Sequence, residues 1–333
     1  MKRILLITAL LVGWVTGVQA QQRPQFSQYM LNQYLFNPAV TGIEDYTDVR
    51  MGTRYQWVGL DGAPVTYYVS AHTPLNKEAA SVKNRYNNKT HTVNRNRFYK
   101  ARPHHGVGIM ANVDKTGVLR RTNLTGSYAF HLPVSHTINV SVGLSAGMIR
   151  NSLNTAEATF INPADPAITA DFVNKTYLDL NLGTWIYSQD FFVGLAGAQL
   201  ARGRTDLNNS PIQKTPGVIQ RHFYATAGYK FRLGNDLALV PSVMMKMAGP
   251  SPFSVDANLR AIYADRVWAG VSYRSQESFA GLVGLNISYL MDIGYSYDYN
   301  NSDLSISNTG SHEIVLGLKL FNKGKVICPQ WMQ

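Results

Sequence analysis

Ser278–Tyr299 reads SFAGLVGLNISYLMDIGYSYDY, and its alternate residues separate into two chemistries. Phe279, Gly281, Val283, Leu285, Ile287 and Tyr289 fall on one side, with Ala280, Leu282, Gly284, Asn286 and Ser288 on the other. After a one-residue hinge at Leu290, Met291, Ile293, Tyr295, Tyr297 and Tyr299 oppose Asp292, Gly294, Ser296 and Asp298. A period of two is strand geometry, and about ten residues is the length a tilted strand needs to cross a bilayer. An apolar face with tyrosines near the strand ends, backed by a small and polar face, predicts a transmembrane β-barrel. A soluble β-sandwich or lipocalin-like barrel shares the period, so the rest of the chain has to separate them.

The N-terminus places the chain outside the cytoplasm. Lys2 and Arg3 precede an apolar run from Ile4 to Val18, and Val18-Gln19-Ala20 offers a signal-peptidase site. Residues 1–20 therefore read as a cleaved signal peptide. Nothing after them approaches a transmembrane helix, which excludes a helical membrane bundle. The single cysteine, Cys328, cannot form an intrachain disulfide. A formal charge of +11 would suggest nucleic acid in a cytoplasmic protein. Here the excess is concentrated in one tract, so no nucleic-acid partner is expected.

Period-two alternation recurs along the chain. It predicts strands near 48–58, 64–74, 104–113, 118–131, 136–150, 177–188, 190–200, 220–233, 236–247, 253–263, 266–275, 278–289, 291–299 and 311–321, an all-β antiparallel outer-membrane barrel of about fourteen strands. The domain reading follows: an N-terminal segment, 21–45, packing into or under the barrel; a barrel over 46–321 with a basic insertion at 76–102; and a C-terminal tail, 322–333. With the N-terminus in the periplasm, the tight connections 131–135, 189, 234–235, 264–265 and 290 are periplasmic turns. The longer connections 151–176, 201–219 and 300–310 then lie outside. The insertion breaks that rule, being long yet on the periplasmic side by strand parity.

Candidate chemistry is sparse. His104-His105 is the one adjacent imidazole pair, but a metal site needs ligands converging from another element. No metal and no cofactor are expected. His131, His136, His222 and His312 come with no nucleophile motif, so the chain does not read as an enzyme and no catalytic residue is assigned. Gly106-Val107-Gly108 lies in a strand, where glycine admits close packing in a narrow lumen. Arg50, Arg54, Lys230, Asp256, Arg260, Arg274, Asp292, Asp298, Glu313 and Lys319 fall on the lumen face. Their mixed signs favour pairing across the interior over a charge-selective path. Trp57, Trp185 and Trp268 read as belt or packing residues. The insertion carries Lys83, Arg85, Lys89, Arg95 and Arg97 against one acid, Glu78; these five are the candidate partner-binding residues, and an acidic periplasmic protein is the partner they fit. A solvated insertion with no partner is the alternative.

An ordered set of motifs is similar to a known family. PQFSQYMLNQYLFNPAVTG (24–42), YQWVGLDGAPVTYYVSAHTPL (55–75), VDKTG (113–117) and YAFHLPVS are followed by VSVGLSAGM, YSQDFFVGLAGAQL and RHFYATAGYKFRL. NDLALVPSVMMK, DRVWAGVSYRS, IGYSYDY and GSHEIVLGLKLF complete the series. Together they resemble the PorP/SprF membrane proteins of the type IX secretion system of Bacteroidetes, over essentially the whole exported chain. The long basic connection and the tail after Phe321 depart from the family pattern. The resemblance implies an outer-membrane accessory barrel, in contact with membrane lipid and with translocon components. It implies a binding scaffold for export or surface retention of cargo such as adhesins, which carry a C-terminal sorting domain, and in some members a part in gliding motility. A passive or substrate-selective porin is the competing function.

Overall fold

The structure, a computed structural model, describes residues 24–76, 103–153, 174–201, 220–234, 236–248, 253–275, 278–300, 308–324 and 326–327. Strands dominate it. They are β1 (Thr47–Tyr55), β2 (Val65–Leu75), β3 (His104–Thr116), β4 (Leu119–Pro133), β5 (Asn139–Leu153) and β6 (Asn174–Tyr187). β7 (Phe191–Ala198), β8 (His222–Tyr229), β9 (Phe231–Leu233), β10 (Leu237–Ala248) and β11 (Ser254–Tyr263) follow. β12 (Val267–Arg274), β13 (Ser278–Asn286), β14 (Met291–Asn300) and β15 (Ser311–Leu320) complete the set. Every pairing is antiparallel between sequence neighbours, and β1 pairs with β15 from Thr47↔Leu320 to Tyr55↔His312, which closes the ring. β8 and β9 both pair with β10 and are two segments of one stave, broken at Lys230, so the barrel has fourteen staves.

Alternation decides which face each residue takes. Val283 is 54% exposed and its neighbour Leu282 only 2%. Each stave puts a large apolar side chain outward: Met51, Val69, Ile109, Leu124, Leu144, Leu182, Leu195, Phe223, Met245, Leu259, Val271, Val283, Ile293 and Ile314. A soluble sandwich or lipocalin would turn these residues inward, whereas a lipid-facing band needs them where they are. Aromatic pairs rim the band on the outer face, among them Tyr273–Phe279 with ring centroids 4.9 Å apart and Tyr229–Phe231 at 4.7 Å.

Two turns are longer than the sequence suggests. β13 ends at Asn286 rather than 289, and β6 and β7 are joined by three residues rather than one. An antiparallel pair cannot reverse in one residue, and a serine opens both turns. The Ser188 hydroxyl accepts from the backbone N–H groups of Asp190 and Phe191, both at 3.1 Å, and that of Ser288 accepts from Leu290 at 3.0 Å. Between β11 and β12, Ala264 and Asp265 both take positive φ (51° and 54°), the backbone of a type I′ turn. These short connections share one end of the barrel, hereafter the turn end, with the β2–β3 connection. The β5–β6, β7–β8 and β14–β15 connections lie at the opposite, loop end.

Candidate functional site

Residues 24–46 precede β1 and lie among the lumen-facing side chains of the staves. The stretch has neither a strand nor a helix period, and folds as two single 3-10 turns, Gln33–Leu35 and Pro38–Val40. Asn37 starts the second, its Oδ1 accepting from Ala39 N at 2.9 Å, with Pro38 supplying a preset φ behind it. Phe26, Tyr29, Met30, Tyr34, Leu35, Phe36, Ala39, Val40, Ile43 and Tyr46 are all buried. Phe26 meets Tyr68 of β2 at 5.1 Å and Phe36 meets Tyr224 of β8 at 5.1 Å, both edge-on. Tyr34, Phe36, Met110, Thr125, Ser145 and Asn181 enclose a cavity of about 10 Å³, the room of about one water.

The loop end of this segment is held by charge. Ser27 N donates to Glu313 Oε2 at 2.7 Å and Gln28 N to Glu313 Oε1 at 3.3 Å. Gln28 Nε2 adds a bond to the Glu313 carbonyl at 2.8 Å. Arg54 binds that same carboxylate at 3.1 Å and Asp298 at 2.6 Å. Gln25 accepts from Arg274 Nη1 at 2.9 Å, and Arg274 pairs with Asp256 at 3.3 Å. Asp256 also pairs with Lys246. Nearer the turn end, Arg50 bridges Asp48 (3.0 Å) and Asp292 (3.2 Å), and Lys319 reaches Asp292 at 3.4 Å.

The middle is held by neutral polar groups. Asn32 donates to Ser70 at 2.9 Å, and Asn37 Nδ2 donates to the carbonyls of Thr184 (3.0 Å) and Leu195 (3.2 Å). Tyr34 and Ser127 share a 2.6 Å bond.

At the turn end the holders are imidazoles. Gly42 N donates to His72 Nδ1 at 3.2 Å, His104 Nε2 donates to Gly42 O at 3.2 Å and His131 Nε2 donates to Thr41 O at 2.8 Å. His104 and His131 stack with centroids 4.4 Å apart, and Tyr187 bonds His131 Nδ1 at 3.0 Å. Lumen glycines give the segment its room. A Cβ on Gly106 would sit 2.0 Å from Thr41 O, one on Gly143 2.4 Å from Pro38, and one on Gly183 2.0 Å from Asn37 Oδ1.

A family model described as "Type IX secretion system membrane protein PorP/SprF" matches residues 18–318. The chain belongs to the PorP/SprF family. It is an outer-membrane β-barrel component of type IX secretion. No protein with a curated description matches it. Among solved structures it is similar to the toluene transporter TbuX of Ralstonia pickettii, at 11% identity over 88% of this chain and 93% of that one, TM-score 0.48. It is also similar to the outer membrane protein Omp33 of Acinetobacter baumannii, at 10% identity over 84% and 100%, TM-score 0.45. Neither likeness bears on function.

Of the residues singled out in this PorP/SprF chain, the ten lumen charges are all buried. Arg50, Arg54, Asp256, Arg274, Asp292, Asp298, Glu313 and Lys319 form opposite-sign contacts with one another or with Asp48 and Lys246. Asp48 and Lys246, absent from the residues singled out in the sequence, complete these clusters. His104 and His105 part company: His104 turns into the lumen, while His105 packs outside against Tyr128, so this pair cannot share a ligand. Trp185 is fully buried and stacks on Phe192 at 5.2 Å, and Arg260 lies over Trp268 at 5.8 Å. Lys83, Arg85, Lys89, Arg95 and Arg97 lie outside the described residues. Ser27, Gln28, Asn32, Asn37 and Thr41 escape a reading by period because they occupy no strand or helix. The one local signal is the Asn37-Pro38 turn.

Proposed function

We propose that this protein is an accessory scaffold of type IX secretion, a barrel closed by its own N-terminal segment that presents loops and rims to protein partners. The observation that carries this reading is the lumen content. Ten buried apolar residues of 24–46 and three ion clusters on the wall occupy the space a porin leaves to water. A wall whose charges engage one another offers a permeating ion little to replace its hydration. The function then lies in binding: particular cargo proteins with a C-terminal sorting domain, and translocon components, are the partners this reading assigns. A role in gliding motility follows where the cargo is an adhesin. The basic tract, through Lys83, Arg85, Lys89, Arg95 and Arg97, fits an acidic periplasmic protein, with an encounter rate that salt lowers.

Loss of the gene should remove one or a few proteins from the cell surface while bulk secretion continues, as read by surface proteomics. Pull-down from detergent-solubilised outer membranes should recover the same cargo. Purified wild-type protein should not conduct in planar bilayers; a steady open-channel current would make the porin reading correct instead. Replacing the five basic residues by Gln should lower recovery of a periplasmic partner at low salt, and unchanged recovery would leave a solvated insertion.

A further inference from the structure

The segment 24–46 has a direction. Gln25 bonds Arg274, the last residue of β12 before the loop-end turn. Ser27 and Gln28 bond Glu313, the third residue of β15 after the loop-end connection. Ser27 also donates to Asp298, near the loop end of β14, and accepts from Arg54, the penultimate residue of β1. Ten residues on, Asn37 reaches Thr184, fourth from the turn end of β6, and Leu195, midway along β7. Ala39 O accepts from Ser141, early in β5, at 2.7 Å. Thr41 and Gly42 are held by His131 at the close of β4, His104 at the opening of β3 and His72 at the close of β2, all at the turn end. The chain therefore descends the lumen from loop end to turn end, reverses over 43–46 and climbs again as β1. The last described residues after β15 stay at the turn end: Asn322 Nδ2 donates to Tyr289 O, in the β13–β14 turn, at 2.6 Å, and Lys319 to Ile327 O.

Outer-membrane barrels keep short turns in the periplasm and long loops outside. From that rule and this path, we infer that the N-terminal end of the exported chain leaves the barrel through its outer mouth. It stands at the cell surface, while Asn322 and Ile327 lie at the periplasmic mouth. Any partner that grips this N-terminal end is then an extracellular one, and a periplasmic partner must use the turn end. The inference rests on the outer-membrane placement but not on any cargo.

The test uses the full-length protein in intact cells, with Cys328→Ser removing the one native cysteine. A short epitope is inserted directly before Pro24 in one strain. In two others single cysteines replace Ser275, in the loop-end turn after β12, and Asp265, in the turn-end turn after β11. Antibody should bind the epitope on intact cells, and a membrane-impermeant maleimide should label Ser275→Cys at once but Asp265→Cys only after the outer membrane is breached. An epitope reached only after breaching, with Ser275→Cys still labelled from outside, overturns the inference and leaves the orientation standing. An epitope reached under neither condition also overturns it, because the segment would then end inside the lumen. Labelling of Asp265→Cys on intact cells, with Ser275→Cys shielded, overturns both the inference and the orientation. None of these outcomes touches the scaffold reading, which stands or falls on cargo display and conductance.

Discussion

The two ends of the lumen segment are fastened by different groups. At the loop end a buried carboxylate, Glu313, collects two backbone N–H groups of the segment and the guanidinium of Arg54, which also holds Asp298. At the turn end three imidazoles meet two backbone carbonyls and one N–H, with the segment's own Glu44 buried close to Tyr187. Buried ions cost heavily to desolvate, and they are expensive to leave single. Neutral hydrogen bonds contribute less and are lost more gently. The three imidazole bonds are thus more forgiving than the Arg54 cluster, whose two carboxylates share that cation.

Substitutions should break this contrast in graded order. Arg54→Met leaves Asp298 and Glu313 buried without their cation, and should destabilise the barrel by about 3–5 kcal/mol. The readout is the urea midpoint of the protein folded in lipid vesicles, and a midpoint close to wild type would mean that the cluster is wetter than its burial implies. At the turn end, Gly106→Ala drives a Cβ to 2.0 Å from Thr41 O. Backbone has to shift, at a cost of about 1–3 kcal/mol. Asn37→Leu removes the donor to two stave carbonyls and the cap of the second 3-10 turn, for about 1–3 kcal/mol, nearer the lower figure if water enters. The mildest is His131→Gln, which keeps a donor in reach of Thr41 O and should cost about 1 kcal/mol. If His131→Gln proved as damaging as Arg54→Met, the asymmetry between the ends would be wrong.

The wall was legible in the sequence and its contents were not, for a physical reason. A stave obeys a period of two because lipid on one side and the lumen on the other impose it at every step, so Phe279 through Tyr299 declare themselves. Even so, the turns between staves hid their chemistry. Ser188 and Ser288 act through hydroxyls that no pattern of hydrophobicity records, and Ala264-Asp265 takes a backbone usually signalled by Asn-Gly. The lumen charges followed from the same period, yet their partners did not. Arg54 and Glu313 lie 259 positions apart and become neighbours only when the ring closes. Residues 24–46 show the opposite case. Their contacts scatter over many staves, so no period links Asn32 to Ser70, Asn37 to Thr184 or Thr41 to His131. The direction of the segment was missed for that reason: counting strands places the start of β1 and is silent on what comes before it.

The joint between β1 and β15 carries a constraint on the order of events in assembly. It unites the first stave of the chain with the last, and Ser27 is bonded on both sides of it, to Arg54 of β1 and Glu313 of β15. A ring zipped shut while empty would leave no bore for Phe26, Tyr29 and Phe36 to be pushed through afterwards. The filling has to be laid down first and the hoop drawn tight around it, which makes completion a single late event of very long sequence separation, slow by that fact alone. In a refolding time course, protection of Tyr29 and Trp185 from solvent should therefore rise together with the heat-resistant gel mobility of the closed ring. Mobility that matures well before those side chains are protected would show that the hoop can close first.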